Sequence, residues 1–368
     1  METADSRPIR VGLVGCGNVS RQYLRNTAAS EELTVVACAD LVGARAESVA
    51  REFGVPAALR VDALLADPEI DLVLNLTLPN AHADVTLRAF ESGKHVYTEK
   101  PLAPDLEDAR TIVAVAQRLG LGLGSAPDTV MGAGLTTCAR LIAEGAIGQP
   151  IGANAFMMSA GPDRFHPAPE FLFRPGAGPL LDIGPYFVTA LVALLGPVSS
   201  VAGLASTPRG ERVIRVGDRA GTPFAVQTPT HVVSLLNFAS GVLGTLVTSF
   251  DIVGTRTPGF EIHGTAGSLI GPAANSWGGP VLLKRDGDHD FTEVDIGAGA
   301  TPGFMGMGLI EMARGLRRGS TPTASGIRAL HVLDVLNGVL ASAHADGAAT
   351  VITPPHAESM SSSGWRAA

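Results

Sequence analysis

Ile9-Arg10-Val11-Gly12-Leu13-Val14-Gly15-Cys16-Gly17-Asn18-Val19-Ser20 carries an apolar run directly into a glycine-rich turn, and that junction decides the fold. Residues 9–14 have the composition of a buried strand, and Tyr23 and Leu24 follow on one side of a helix. Strand, tight turn and helix in this order can seat a pyrophosphate. Gly15 and Gly17 let the backbone approach it closely, while the helix opened by Asn18 and Val19 turns N–H groups and its positive dipole end toward the anion. Ser20 stands where the usual pattern has a third glycine, a place that only has to be small for helix to pack on strand.

Outward from this turn, residues 33–39 form a second buried strand that stops at Asp40, twenty residues past Ser20. A carboxylate there accepts hydrogen bonds from an adenosine ribose and repels a 2′-phosphate. The nearest arginine is Arg45, five positions on in the next predicted helix, so NAD is the expected cofactor and NADP is less favoured. Without that context the same stretch reads as an ordinary tight turn with Asp40 as a solvated strand end. The alternation continues with strands at 71–76, 95–98 and 121–123 and helices at 81–92 and 106–119, closed by Gly93 and Gly120. Such spacing predicts an α/β domain over 1–127, a Rossmann doubly wound parallel sheet covered on both faces. Strands dominate from 128 to 352, at 153–159, 198–204, 231–238, 242–250, 260–263 and 281–284, with late helices at 305–318 and 327–345. That pattern predicts a C-terminal α+β domain on a largely antiparallel open sheet, and residues 353–368 are expected to be a flexible tail.

Composition removes other classes. Of 368 residues, 46% are hydrophobic and 17% charged, which excludes a disordered chain. Lys plus Arg is 27 against 35 Asp plus Glu, a net −8 with no long basic block, so nucleic acid is an unexpected partner. The three cysteines, Cys16, Cys38 and Cys138, are too few and too scattered for a disulfide framework and fit a reducing, cytoplasmic setting. The apolar runs fall short of the ~20 residues of a membrane span, and no His, Cys, Asp and Glu grouping has metal-ligand spacing.

Two further stretches carry chemistry. In Gly93-Lys94-His95-Val96-Tyr97-Thr98-Glu99-Lys100-Pro101, Lys100 lies just past a predicted strand end, where open α/β sheets place ligands. Its ammonium could bond the nicotinamide ribose and a substrate hydroxyl; taken alone, it reads as a solvated surface lysine. In Gly176-Ala177-Gly178-Pro179-Leu180-Leu181-Asp182-Ile183-Gly184-Pro185-Tyr186, a helix is predicted to start near Asp182, with Asp182 and Tyr186 four apart on one face. The competing reading makes Asp182 a cap and Tyr186 a core residue. His166, in Phe165-His166-Pro167, could reach a substrate hydroxyl, whereas His231 and His331 read as structural. The loop over 158–174 is expected to shape specificity.

Together these residues resemble the Gfo/Idh/MocA family, the glucose-fructose oxidoreductase and inositol dehydrogenase group. The match runs from Ile9 to Ile352 and rests on the Gly15 to Ser20 turn, Asp40, Leu78-Pro79-Asn80 with His82, Glu99-Lys100-Pro101, Gly145-Ala146-Ile147-Gly148, Gly178 to Tyr186 and Phe260 to Gly267. The resemblance implies a nicotinamide-dependent redox step on a sugar, glycoside or cyclitol, and a homodimer or homotetramer formed through the open sheet. By position it implies Lys100 as the catalytic lysine, Asp182 as the substrate-side aspartate, and Pro79, Asn80, His82 and Glu99 as cofactor contacts. Many members have histidine four residues past that aspartate; this chain has Tyr186, as some branches do. An ammonium at Lys100 is expected to pull the phenol down from its usual pKa of about 10, making the two an acid-base pair. The alternatives are a redox-neutral epimerase or glycoside-processing enzyme that retains its NAD, and a non-catalytic dinucleotide sensor.

Overall fold

The computed structural model describes residues 7–297, 303–318, 320 and 322–353; the expected tail over 354–368 lies outside them. The first region alternates β1 (Ile9–Val14), α1 (Asn18–Thr27), β2 (Leu33–Ala39), α2 (Gly43–Phe53), β3 (Ala57–Leu59), α3 (Val61–Ala66), β4 (Leu72–Asn75), α4 (His82–Glu91), β5 (His95–Thr98), α5 (Leu106–Leu119) and β6 (Leu123–Ser125). Its six strands are all parallel, in the order β3-β2-β1-β4-β5-β6. The period-2 alternation of strand side chains divides them between two cores. Val11, Leu13, Leu72, Leu74 and Tyr97 face the side holding Tyr23 and Leu24 of α1, while Val14, Val73 and Val96 face Ala89, Phe90, Ile112 and Val113 of α4 and α5. The edge strand β3 is an addition to the predicted set, and the last strand begins two residues later than its apolar run suggested.

The second region contains α6 (Ala133–Ala143), β7 (Pro150–Met158), α7 (Pro179–Asp182), α8 (Gly184–Leu195), β8 (Val198–Ser206), β9 (Glu211–Val213), β10 (Pro223–Ala225), β11 (His231–Phe238), β12 (Leu243–Ser249), β13 (Phe260–Gly264), β14 (Gly267–Ile270), β15 (Leu282–Arg285), β16 (Thr292–Glu293), α9 (Met307–Arg318), α10 (Gly326–His344) and β17 (Thr350–Val351). Nine strands form one sheet in the order β16-β15-β14-β13-β7-β12-β11-β8-β17. Its pairings are antiparallel except β12 with β7. One face of the sheet packs on α6, α8 and α10. On the other face Leu204, Leu235 and Leu243 stay exposed.

The two regions are not separate in space. Leu309, Met312 and Ala313 of α9 fold back onto the first sheet beside Tyr23 and Tyr97. Helix α10 is capped by the Ser325 hydroxyl, which accepts the Arg328 N–H, and it serves both cores, with Leu333 in one and Val332, Val335 and Leu336 in the other.

Candidate active site

The turn after β1 has the shape its glycines imply. Gly15 adopts φ +101°, and a Cβ there would lie 2.4 Å from the Leu76 carbonyl oxygen at the end of β4. At Gly17 an added Cβ would meet nothing within 4 Å. Gly17 caps α1 without any side-chain hydrogen bond, so the first N–H groups of that helix are left for a ligand. Asn18 and Val19 are exposed beside it, whereas Ser20 is buried and donates to the Gly17 carbonyl at 2.6 Å. An open space bordered by uncapped N–H groups is the cradle a pyrophosphate requires, so these residues fit a dinucleotide.

Asp40 ties the turn to the second strand. One carboxylate oxygen accepts the Cys16 N–H at 2.9 Å and the other the Val42 N–H at 2.8 Å. Arg45 stands closer than sequence spacing implied, because the first turn of α2 brings its guanidinium to 4.0 Å from Asp40 Oδ1. Pro79 and Asn80 form an exposed turn past β4. His82 departs from its expected place among the cofactor contacts. It is 1% exposed, and its ring nitrogens lie 2.7 Å from the Pro101 carbonyl and 3.1 Å from that of Thr77. Burial holds its pKa below the usual histidine range. This histidine braces the loop that presents Lys100, and its side chain is shut off from a ligand.

Strand β5 delivers Glu99 and Lys100 to the same mouth. Glu99 accepts the Tyr23 hydroxyl at 2.9 Å and the Lys100 backbone N–H at 2.9 Å. The Lys100 ammonium crosses to the second region, donating to the Asp182 carbonyl at 2.7 Å and to Asp182 Oδ1 at 2.9 Å. It also lies 5.5 Å from the centroid of the Tyr186 ring. Lys94, by contrast, is buried and spent on the carbonyls of Asp67 and Ile70.

The expectation of a single helix from Asp182 fails. Asp182 ends α7, Ile183 interrupts, and Gly184 with Pro185 starts α8, as suits a proline that has no N–H to give a preceding turn. Asp182 and Tyr186 still meet at Lys100. The expected lowering of the Tyr186 pKa is also reversed. Burial, followed by the charges of Glu99, Asp182 and Asp128, pushes the phenol up, so Tyr186 holds its proton.

His166 has no hydrogen bond or ion pair to this trio among the described residues; its Nδ1 accepts the Ala168 N–H at 3.0 Å and its ring meets Phe171 edge-on. His331 is structural as expected: Nε2 accepts the Val198 N–H, and burial pulls its pKa down to about 4.

Asp128 was not singled out from sequence. It is 3% exposed and accepts the Gly306 and Gly308 N–H groups at 2.8 and 3.1 Å, joining α9 to the first region near Glu99. Burial pushes its carboxyl up from 3.8 to about 6. The folded chain therefore holds an extra proton between those values, and stability present below 3.8 is lost as pH rises through about 6. Asp128→Asn should abolish this loss. Denaturant unfolding across the same interval is expected to show the variant gaining on the wild type by on the order of 1–3 kcal/mol, and parallel curves would refute the assignment.

Comparison with known proteins agrees with the geometry. A profile described as "Oxidoreductase family, NAD-binding Rossmann fold" matches residues 9–125, and that of the GFO/IDH/MocA C-terminal domain matches residues 135–270. The 1,5-anhydro-D-fructose reductase of Ensifer adhaerens is 33% identical over 267 residues, 71% of this chain and 75% of that protein. An inositol 2-dehydrogenase/D-chiro-inositol 3-dehydrogenase of Lacticaseibacillus casei is 37% identical over 108 residues, 28% of this chain and 31% of the relative. The solved levoglucosan dehydrogenase complex with NADH and L-sorbose superposes with a TM-score of 0.80 at 21% identity, covering 94% of this chain and 99% of that one, a likeness of fold.

Proposed function

The chain belongs to the Gfo/Idh/MocA family of oxidoreductases, and from that premise we propose that it moves hydride between NAD and a secondary alcohol or ketone of a sugar, glycoside or cyclitol. One observation carries this reading: the Lys100 ammonium, held 2.9 Å from Asp182 and 5.5 Å from the Tyr186 ring, stands where the first sheet meets the second region. A nicotinamide bound across this mouth supplies the hydride donor or acceptor. Lys100 donates to the reacting oxygen and offsets the charge it develops. Asp182 holds that ammonium in place and takes a neighbouring substrate hydroxyl. Tyr186, kept protonated by burial and by the carboxylates around it, hands its proton to the oxygen of a ketone under reduction. The expected role of His166 is contact with a substrate hydroxyl.

Asp40 favours NAD. Its carboxylate is fixed at the mouth by two backbone N–H groups, and the 4.0 Å approach of Arg45 offsets only part of its charge. The test is a panel of keto sugars, anhydro sugars, glycosides and inositols run in both directions with NAD(H) and NADP(H). Turnover of at least one member, with kcat/KM at least about tenfold higher for NAD, is expected. No turnover by protein that binds NAD would overturn the proposed activity.

The exposed sheet face is proposed as the contact between copies. Val233 and Leu235 alternate outward along β11, and Leu204 and Leu243 flank them. Leu235→Glu should place a charge in that contact and dissociate the oligomer, read as a halved mass or less by light scattering. An unchanged mass would move the interface elsewhere.

A further inference from the structure

Ser206 of β8 and His231 of β11 are register partners, so residues 207–230 form an excursion from the end of the second sheet. Within it, β9 and β10 make a two-stranded ribbon that turns Arg212 inward, where its side chain is 2% exposed. The guanidinium joins segments far apart in sequence. Nη1 donates to Asp163 Oδ1 at 2.5 Å and to the Ala160 carbonyl at 3.0 Å; Nη2 donates to Asp251 Oδ1 at 2.6 Å and to the Phe250 carbonyl at 2.5 Å. Its Cζ lies 5.2 Å from the centroid of the Phe173 ring. Gly161, at φ +101°, makes room: a Cβ there would lie 2.3 Å from Nη1. The opposite oxygen of Asp251 accepts the Thr230 hydroxyl at 2.5 Å.

The returning leg of the excursion leads from this cluster to the site. Gln227 N–H donates to the Phe173 carbonyl at 2.8 Å, and the Thr228 hydroxyl to the Ala177 carbonyl at 3.3 Å. Gly178 N–H donates to the Leu172 carbonyl and Asp182 N–H to the Gly178 carbonyl, both at 3.0 Å. Asp182 in turn holds Lys100.

We propose that Arg212 is a positioning residue for the sugar: it locks the excursion and residues 160–178 into one wall that holds the substrate against Lys100 and Asp182. The inference rests on reading Lys100, Asp182 and Tyr186 as the substrate site. Without the guanidinium, Asp163 and Asp251 would keep only the half-exposed Arg215 and Arg209, at 3.6 and 3.8 Å, to offset their buried charge, which loosens the wall. The loss falls on the side of the site away from the glycine-rich turn, so cofactor binding is spared.

Two readouts on Arg212→Met and Arg212→Lys test this separately from the proposed activity. In hydrogen exchange, the Gly178 and Gln227 amides of Arg212→Met should exchange about tenfold faster or more, with α5 unchanged. In kinetics with the best substrate of the panel, the sugar KM should rise about tenfold or more while kcat and the NAD dissociation constant stay within about threefold. Arg212→Lys, which keeps the charge, should lie between the wild type and Arg212→Met. Unchanged exchange overturns the lock, whether or not the protein turns over a sugar. Faster exchange with an unchanged sugar KM overturns the positioning role, as does an equal loss of NAD binding, the mark of a merely structural residue. Faster exchange in a protein whose wild type acts on no sugar supports the lock and overturns the activity. Should Arg212→Met fail to fold by circular dichroism, Arg212→Lys and Thr230→Val carry both readouts.

Discussion

Replacing Lys100 by methionine is expected to lower kcat by about three orders of magnitude while the NAD dissociation constant changes only a few-fold. Methionine keeps most of the unbranched stem and removes the ammonium that donates to Asp182 and faces the Tyr186 ring. Charge developing on the substrate oxygen then has no cation beside it. Folding should be nearly unaffected: the side chains of Lys100 and Asp182 are 19% and 25% exposed, so water reaches the abandoned carboxylate and the stability cost stays near 1 kcal/mol. Tyr186→Phe, which removes the proton but not the ring, should cost about two orders of magnitude in kcat. Stopped-flow kinetics with NAD binding followed by fluorescence measures both. Wild-type turnover in either variant would remove that residue from the chemistry.

The second large effect separates two glycines in one turn. Gly15→Ala places a Cβ 2.4 Å from the Leu76 carbonyl oxygen at a φ of +101°, a clash with backbone that no side-chain rotation relieves. The loss should be about 3 kcal/mol or more of stability, together with NAD binding. Gly17→Ala meets nothing within 4 Å and sits at φ −78°. It should unfold like the wild type and still bind NAD about a hundredfold more weakly, because the new methyl occupies the space the pyrophosphate needs. Thermal unfolding and calorimetric titration of both variants check this; equal NAD affinity in Gly17→Ala and wild type would place the pyrophosphate elsewhere.

What could be read from sequence followed from strong local patterns. The strand, glycine turn and helix at residues 9–27 and the alternation through Leu119 were legible because the strands are mostly apolar and α2, α4 and α5 run into Gly54, Gly93 and Gly120. Strand β3 escaped notice because three residues after Pro56 carry no periodicity. The β9–β10 ribbon did so because its strands are only three residues long and carry no alternation, and its hold on the fold is Arg212, at the centre of an ion cluster assembled from three distant segments. Lys100 and Asp182 were nameable from their motifs, but their contact spans 82 positions and depends on the break at Ile183. The state of Tyr186 differs from the expectation because sequence offered the Lys100 ammonium as its dominant neighbour and concealed its burial and the Asp128 carboxylate, which outweigh it together with Glu99 and Asp182. Asp128 gave no signal beyond following Pro127; its partners, Gly306 and Gly308, lie near the other end of the chain.

Deuterium transfer tests the central claim most directly. A sugar alcohol carrying deuterium on the carbinol carbon is incubated with NAD and enzyme, and the reduced nucleotide is weighed by mass spectrometry. The expected result is one deuterium on the nicotinamide with the wild type and a rate about a thousandfold lower with Lys100→Met. Product formed with no deuterium in the nucleotide, or an undiminished rate in the variant, would contradict hydride transfer at the meeting of Lys100, Asp182 and Tyr186.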